Sequence, residues 1–216
     1  MKVIILLFLI FVYVSYICYY TYPPIKYFED VFSIEECKEI IKYGKSKLQR
    51  SLVDSGEDGE KSEDRTSSST WIVPSELPCL LRASHFVAKI TGLPVQNQEL
   101  WQLLYYKPGQ EYKEHYDAIS PDSEDSQGIR IREKKRGWGP RIFTFFIYLN
   151  DVEEGGETHF PKLGLNIKPK RGRAVLWENL NEYTSEAHPM SEHAGLPPKK
   201  GEKWAINVWV RQNPEK

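Results

Sequence analysis

The sequence predicts a mainly β fold, an antiparallel sandwich or jelly roll, with helices ahead of it. Three observations carry this. From Glu99 onward, short alternating or apolar runs recur at Leu100–Tyr106, Ile142–Leu149, Arg173–Trp177 and Lys203–Arg211. Turn clusters such as Lys107-Pro108-Gly109 and Glu154-Gly155-Gly156 separate them. Aromatic residues make up 13% of the chain, with six Trp and thirteen Tyr, a composition that suits half-buried pleated surfaces and opposes disorder.

The 216 residues suffice for one domain with a sizeable core. A formal net charge of −1 leaves no global field to recruit nucleic acid, so no nucleic-acid partner is expected.

At the start, Val3–Ile25 carries no charge and Val3–Tyr20 is almost wholly apolar, about the length that spans a bilayer as a helix. Tyr16, Tyr19, Tyr20 and Tyr22 crowd its far end, where an interface favours them, and Pro23-Pro24 then break the helix. Residues 1–22 are therefore expected to be a signal-anchor. A cleaved signal peptide is the alternative, disfavoured because no small-x-small site follows the apolar run. Either way the body, residues 27–214, is expected in the endoplasmic reticulum lumen or outside, and secreted if the segment is cleaved. Cys37 and Cys79 are permitted a disulfide there, but two buried free thiols are the simpler expectation.

Ser33 reads as an N-cap, with Glu35 and Glu36 in the first turn of a helix about a dozen residues long. Ile34, Cys37, Ile40 and Ile41 are its expected inner face. Asp54–Ser69 reads as a loop. A second helix is expected over Glu76–Thr91, with Leu80, Leu81, His85, Phe86 and Ile90 inward, stopped by Gly92-Leu93-Pro94. Between the later strands, Ala118–Gly139 is polar, charged and too long for a hairpin turn. It is a solvated loop or a lid.

The chemistry lies in two places. In Tyr112-Lys113-Glu114-His115-Tyr116-Asp117, strand alternation would set His115 and Asp117 on one face. An imidazole and a carboxylate with a distant second His make the facial triad of non-haem iron(II) oxygenases, which leaves three positions open. Such a pair alone is weak. The second place is His193-Ala194-Gly195-Leu196-Pro197-Pro198-Lys199-Lys200-Gly201-Glu202-Lys203-Trp204. Here a His in a turn is followed by a cation entering a strand, which suits iron and a dicarboxylate held by a charge-assisted bond. Alternation puts Lys203, Asn207 and Trp209 on one face and Trp204, Ile206 and Val208 on the other. A buried Lys203 asks for an anion.

With these residues in view, the chain resembles the prolyl 4-hydroxylase family of 2-oxoglutarate/iron(II) dioxygenases over most of Phe32–Val210. Phe32-Ser33-Ile34-Glu35-Glu36-Cys37 is similar to the family's opening helix, and Arg65-Thr66-Ser67-Ser68-Ser69 to its R-T-S segment. Tyr106-Lys107-Pro108-Gly109-Gln110-Glu111-Tyr112 into His115 and Asp117 resembles Y-x-x-G-Q-x-Y-x-x-H-x-D. Tyr148-Leu149-Asn150-Asp151-Val152-Glu153-Glu154-Gly155-Gly156-Glu157-Thr158 resembles Y-L-N-D-V-x-x-G-G-E-T, and His193–Trp204 resembles H-A-G-x-P-x-x-x-G-x-K-W.

The resemblance implies a double-stranded β-helix (jelly roll) core buttressed by N-terminal helices. It implies iron ligation by His115, Asp117 and His193. Lys203, helped by the Thr144 hydroxyl, would pair with the 5-carboxylate of 2-oxoglutarate, and Tyr106 would contact the same cosubstrate. Tyr112 and Trp209 would frame the target proline, while Arg141 receives no firm role. The implied catalytic set is His115, Asp117, His193 and Lys203. The implied reaction uses Fe(II), 2-oxoglutarate, O2 and ascorbate to hydroxylate a proline-rich or collagen-like peptide at proline C4, releasing succinate and CO2. His188 is the rival to His193, but it lacks the Gly-x-Pro context and the ten-residue interval to a strand-start Lys. His159 and His85 are expected to be structural. The long charged segment after Asp117 and Pro198 after Pro197 depart from the family pattern. Hydroxylation of another residue such as lysine, or a silent binding module on a membrane stalk, are the competing functions.

Overall fold

The computed structural model describes residues 22–53, 61–118, 137, 139–181 and 186–214. The expected anchor, most of Ala118–Gly139 and part of the Asp54–Ser69 loop lie outside these residues. Among the described residues no helix is long and apolar enough to cross a membrane.

A seven-stranded antiparallel sheet forms the backbone of the molecule. Its strands are β1 (Lys26–Phe28), β2 (Gln49–Arg50), β3 (Ser68–Ile72), β4 (Trp101–Tyr106), β6 (Arg141–Tyr148), β10 (Ala174–Glu178) and β13 (Lys203–Arg211), in the spatial order β1-β10-β6-β13-β4-β3-β2. A second sheet, in the order β5-β11-β8-β9, faces it, built from β5 (Tyr112–His115), β8 (Thr158–Phe160), β9 (Leu165–Ile167) and β11 (His193–Gly195). Strands β7 (Glu154–Gly155) and β12 (Pro198–Lys200) pair separately.

Period-two alternation sorts each central strand between two cores. Leu103, Phe145, Ile147, Trp204, Ile206 and Val208 pack with Cys37, Ile40, Leu80, Ala83 and Val87 from the helices. Their neighbours Leu104, Phe146, Tyr148 and Ala205 turn the other way, joining Val175, Trp177, Phe160 and Ile167 between the sheets. Strand β13 has every residue buried because it is covered on both faces.

Helix α1 (Ile34–Lys45) begins at a full capping box. The Ser33 hydroxyl accepts from the Glu36 amide, and the Glu36 carboxylate accepts from the Ser33 amide. Cys37 and Ile40 are buried as expected, whereas Ile34, in the first turn, is 47% exposed. Helix α2 (Pro78–Thr91) starts two residues later than predicted, because Pro74–Glu76 forms a separate 3-10 turn and Pro78 sits at the first helical position. Gly92 ends it with φ 72°. Leu80 is buried, but Leu81 and His85 point to solvent, so the inner face is rotated toward Cys79, Ala83 and Val87.

Composition also predicts a loop at Ser68 and Ser69. They open β3, paired with β4 from Ser68↔Tyr105 to Ile72↔Trp101. Serine-rich composition mimics a loop, and the ladder overrides it. Cys37 and Cys79 are free and buried, and burial pushes the Cys37 thiol up to about 11.

Candidate metal centre and active site

The second sheet brings the two histidines together. His193 on β11 lies directly opposite His115 on β5, and their ring centroids are 4.3 Å apart. Strand alternation predicts His115 and Asp117 on one strand face, and the sequence context predicts His193 in a turn. Instead β5 ends at His115, Asp117 follows in a bend, and His193 itself opens a strand. The three side chains still converge. Their candidate ligand atoms lie within 4.8 Å of one another. His115 Nε2 is 3.8 Å from Asp117 Oδ1, and His193 Nε2 is 3.6 Å from Asp117 Oδ2.

Both imidazoles are oriented by the backbone. His115 Nδ1 lies 2.7 Å from the Lys113 carbonyl and His193 Nδ1 lies 2.9 Å from the Ser191 carbonyl. A carbonyl can only accept, so each Nδ1 carries the proton and each Nε2 lone pair is left for a metal. Burial, with His193 beside it, pushes His115 down to about 3, keeping it neutral. Burial alone would raise the Asp117 carboxyl. The two imidazoles, Arg141 and the Thr144 hydroxyl outweigh it and hold the group below its usual range. Two imidazoles and one carboxylate converging on one point fit iron(II).

Lys203 is 1% exposed and makes no ion pair among the described residues. Its Nζ lies 5.3 Å from the ring centres of Tyr106 and Phe146 and 5.6 Å from that of Tyr148. Burial pushes its ammonium down to about 7. A buried cation in an aromatic chamber, beside a metal triad, fits a dicarboxylate that chelates metal at one end and meets the cation at the other.

Thr144 is elsewhere. It pairs with Trp209 in the β6–β13 register, six residues along β13 from Lys203, and its hydroxyl donates to Asp117 Oδ2 at 2.6 Å. The threonine on the Lys203 side is Thr158, whose hydroxyl lies 2.7 Å from the Tyr148 hydroxyl. Thr158 closes the G-G-E-T block, so the signal was present in the sequence, without a register to rank it above Thr144. The same block explains its glycines. Gly155 and Gly156 have φ 78° and 75°, a Cβ on Gly155 would lie 2.5 Å from the Pro197 carbonyl, and one on Gly156 would touch Lys203 Cδ.

Tyr112 stacks on His115 with ring centroids 3.5 Å apart, and the Arg65 guanidinium covers Tyr112 at 4.6 Å. Trp209 is buried under the Arg141 guanidinium at 3.8 Å, with Trp71 at 6.0 Å. Arg141 also holds Glu99 with two bonds, 2.6 and 2.9 Å, and Arg211 binds the same carboxylate at 2.7 Å. Sequence alone assigns Arg141 no firm role and gives no sign of its pairing with Glu99, since an ion network between separate strands leaves no local spacing. His188 is buried five residues before His193 but belongs to a turn, where its Nδ1 accepts from the Met190 amide. His159 pairs with Asn166 at the surface.

Residues 101–211 match the 2OG-Fe(II) oxygenase superfamily. The chain belongs to that superfamily. It is 35% identical over 177 residues to a putative prolyl 4-hydroxylase of Acanthamoeba polyphaga mimivirus, covering 82% of this chain and 69% of that protein. It is 34% identical to prolyl 4-hydroxylase subunit alpha-1 of Gallus gallus over 88% of its own length, but spans only 36% of that protein. Among solved structures it is similar to the viral collagen prolyl hydroxylase of Paramecium bursaria Chlorella virus-1 in its 2-oxoglutarate complex. The TM-score is 0.68 at 29% identity, covering 90% of this chain and 98% of that one. Iron(II) and 2-oxoglutarate are the cofactor and cosubstrate of this superfamily, and the residues present fit both. The jelly roll read from the sequence is the observed fold.

Proposed function

We propose that this chain hydroxylates peptidyl proline at C4, coupled to conversion of 2-oxoglutarate to succinate and CO2. The observation that carries the reading is a complete His115–Asp117–His193 triad in a fold that also buries Lys203 among aromatic rings, with no ion pair to it among the described residues. Prolyl hydroxylase relatives over most of the chain support proline as the residue modified.

His115, Asp117 and His193 would hold iron(II), which would supply the activation of dioxygen. The chain's residues do the rest. Lys203 takes the 5-carboxylate, with the Tyr148 and Thr158 hydroxyls close by and Tyr106 packed against the site. The buried aromatic walls exclude water, which strengthens that ion pair. Tyr112, beside His115, and Trp209, under Arg141, frame the proline ring. Ascorbate serves as reductant for uncoupled turnovers.

A proline-rich or collagen-like peptide is the proposed substrate, because its extended polyproline conformation suits a groove. The apolar N-terminal run supports a membrane tether with the body in the lumen or outside. Tyr22, the first described residue, donates to the Glu178 carbonyl and, with Ile25, packs on the inter-sheet core. A tether ending there would hold the body without a slack linker.

The test is direct. Purified protein with iron(II), 2-oxoglutarate, ascorbate and a proline-rich peptide should yield succinate and a gain of about 16 daltons on proline, one oxygen atom from non-haem iron chemistry. Succinate without that gain would move the search to lysine and other residues. Neither product from folded, iron-loaded protein would favour a binding module.

A further inference from the structure

We propose that Asn179, acting through Thr144, is a positioning residue that makes Asp117 present a single carboxylate oxygen to the metal. The proposal rests on the iron reading of the site and is independent of which peptide residue is hydroxylated.

Thr144 and Asn179 are both wholly buried. Asn179 Nδ2 lies 2.9 Å from Thr144 Oγ1, and Thr144 Oγ1 lies 2.6 Å from Asp117 Oδ2. A hydroxyl has one proton and an ionised carboxylate only accepts, so the proton must point at Asp117. That leaves the hydroxyl's lone pairs for the Asn179 amide, which can donate. The opposite amide orientation would place a second acceptor against Thr144 and compete for its one proton. The chain of donation therefore has one consistent direction, from Asn179 to Thr144 to Asp117.

The Asn179 backbone is itself clamped. Its main-chain amide donates to the Ile142 carbonyl at 2.8 Å, and its main-chain carbonyl accepts from the His188 amide at 2.8 Å and the Ser191 hydroxyl at 3.3 Å. Ser191 in turn offers the carbonyl that orients His193. One asparagine thus braces two of the three metal ligands, Asp117 through a side chain and His193 through a backbone segment. It lies one residue past β10, where Trp177 pairs with Thr144 and packs 4.8 Å from the His193 ring.

The consequence is coordination number. With Thr144 occupying Oδ2, that oxygen is the weaker donor and Oδ1 remains free. A carboxylate chelating through both oxygens would consume one of the positions that the cosubstrate and dioxygen require. Thr144→Val and Asn179→Ala should each loosen the carboxylate.

The test uses the full chain without metal and titrates Co(II), a redox-inert probe whose visible absorption reports coordination number. Thr144→Val and Asn179→Ala should each weaken Co(II) binding by about 10- to 100-fold and alter the absorption intensity. Thr144→Ser, which keeps the hydroxyl, should restore both. The double variant should bind no more weakly than Thr144→Val alone, since Asn179 acts through that hydroxyl. If Asn179→Ala does not fold, Asn179→Leu fills the volume without a donor and carries the same comparison. Unchanged Co(II) binding in the Asn179 variant, or multiplied losses in the double variant, would overturn the proposal. A wild-type chain that bound no Co(II) would instead overturn the iron reading beneath it.

Discussion

Tyr112 lies flat on His115, the planes 16° apart and the centroids 3.5 Å apart, so an aromatic shield covers one face of a metal ligand. The Arg65 guanidinium also lies over the Tyr112 ring, 4.6 Å from its centre. A stacked aromatic pair contributes about 0.5–1.5 kcal/mol beyond its buried area. Tyr112→Phe should therefore keep metal affinity near wild type. Tyr112→Ala should weaken metal binding about 2- to 10-fold and raise the peptide KM, both measured on purified protein. Equal peptide KM in Tyr112→Ala and wild type would remove Tyr112 from the substrate site.

The Lys203 ammonium, pushed down to about 7 by burial, must be protonated to hold a carboxylate. The sign follows. Above about pH 7 the unliganded lysine is largely neutral, so cosubstrate binding has to take up a proton and apparent affinity falls as pH rises. Below that value the proton is already present and uptake vanishes. Calorimetry in two buffers of different ionisation enthalpy should show close to one proton taken up near pH 8 and close to none near pH 6. Lys203→Ala should raise the 2-oxoglutarate KM by about 10- to 100-fold, the loss of one charge-assisted hydrogen bond, while metal binding stays. An unchanged KM would mean another cation meets the cosubstrate.

His193→Ala should abolish metal binding and activity. His188→Ala should lower stability by about 1–3 kcal/mol, because its ring is buried and its Nδ1 accepts from the Met190 amide, yet retain metal. Metal titration with thermal unfolding separates the two effects, and loss of metal in His188→Ala alone would reverse the ligand assignment.

Glu99 joins β6 and β13 through Arg141 and Arg211. Burial raises its carboxyl, but the two guanidinium groups outweigh that and hold it below the usual carboxylate range. A depressed folded pKa contributes stability that is present above the unfolded value, near 4.5, and lost as pH falls through the folded one. Removing the carboxylate takes three charge-assisted bonds from two guanidinium groups, so Glu99→Ala should cost about 3–5 kcal/mol in denaturant unfolding at neutral pH. Glu99→Gln should flatten the loss of stability on acidification. An acid limb identical to wild type would place that stability elsewhere.

Much of the fold was legible because it follows local rules. Ser33 with Glu36 announces the start of α1, Gly92 the end of α2, and the alternation of Lys203–Arg211 the most buried strand. The candidate site was legible as residue types at family spacings: His115, Asp117 and His193 converge, and Lys203 is buried at the start of β13. Where packing chose between locally equivalent options, the reading slipped. His85 and Leu81 fit the helical period as well as Ala83 and Val87 do, and only the sheet beneath α2 decides which face is inward. Serines at 68 and 69 look like a loop until β4 pairs with them.

The sequence by itself determined the chemistry available to this protein: two imidazoles, a carboxylate, a strand-start lysine, and glycines free to take positive φ where the chain passes Pro197 and Lys203. Tertiary structure decided which groups meet. Register across β6 and β13 sends the Thr144 hydroxyl to Asp117 and leaves Thr158 and Tyr148 on the Lys203 side. The physical reason is that hydrogen bonds and ion pairs act over about 3 Å, whereas a strand carries its residues tens of ångströms. Contact is therefore set by which strands lie side by side, a property no short stretch of sequence contains.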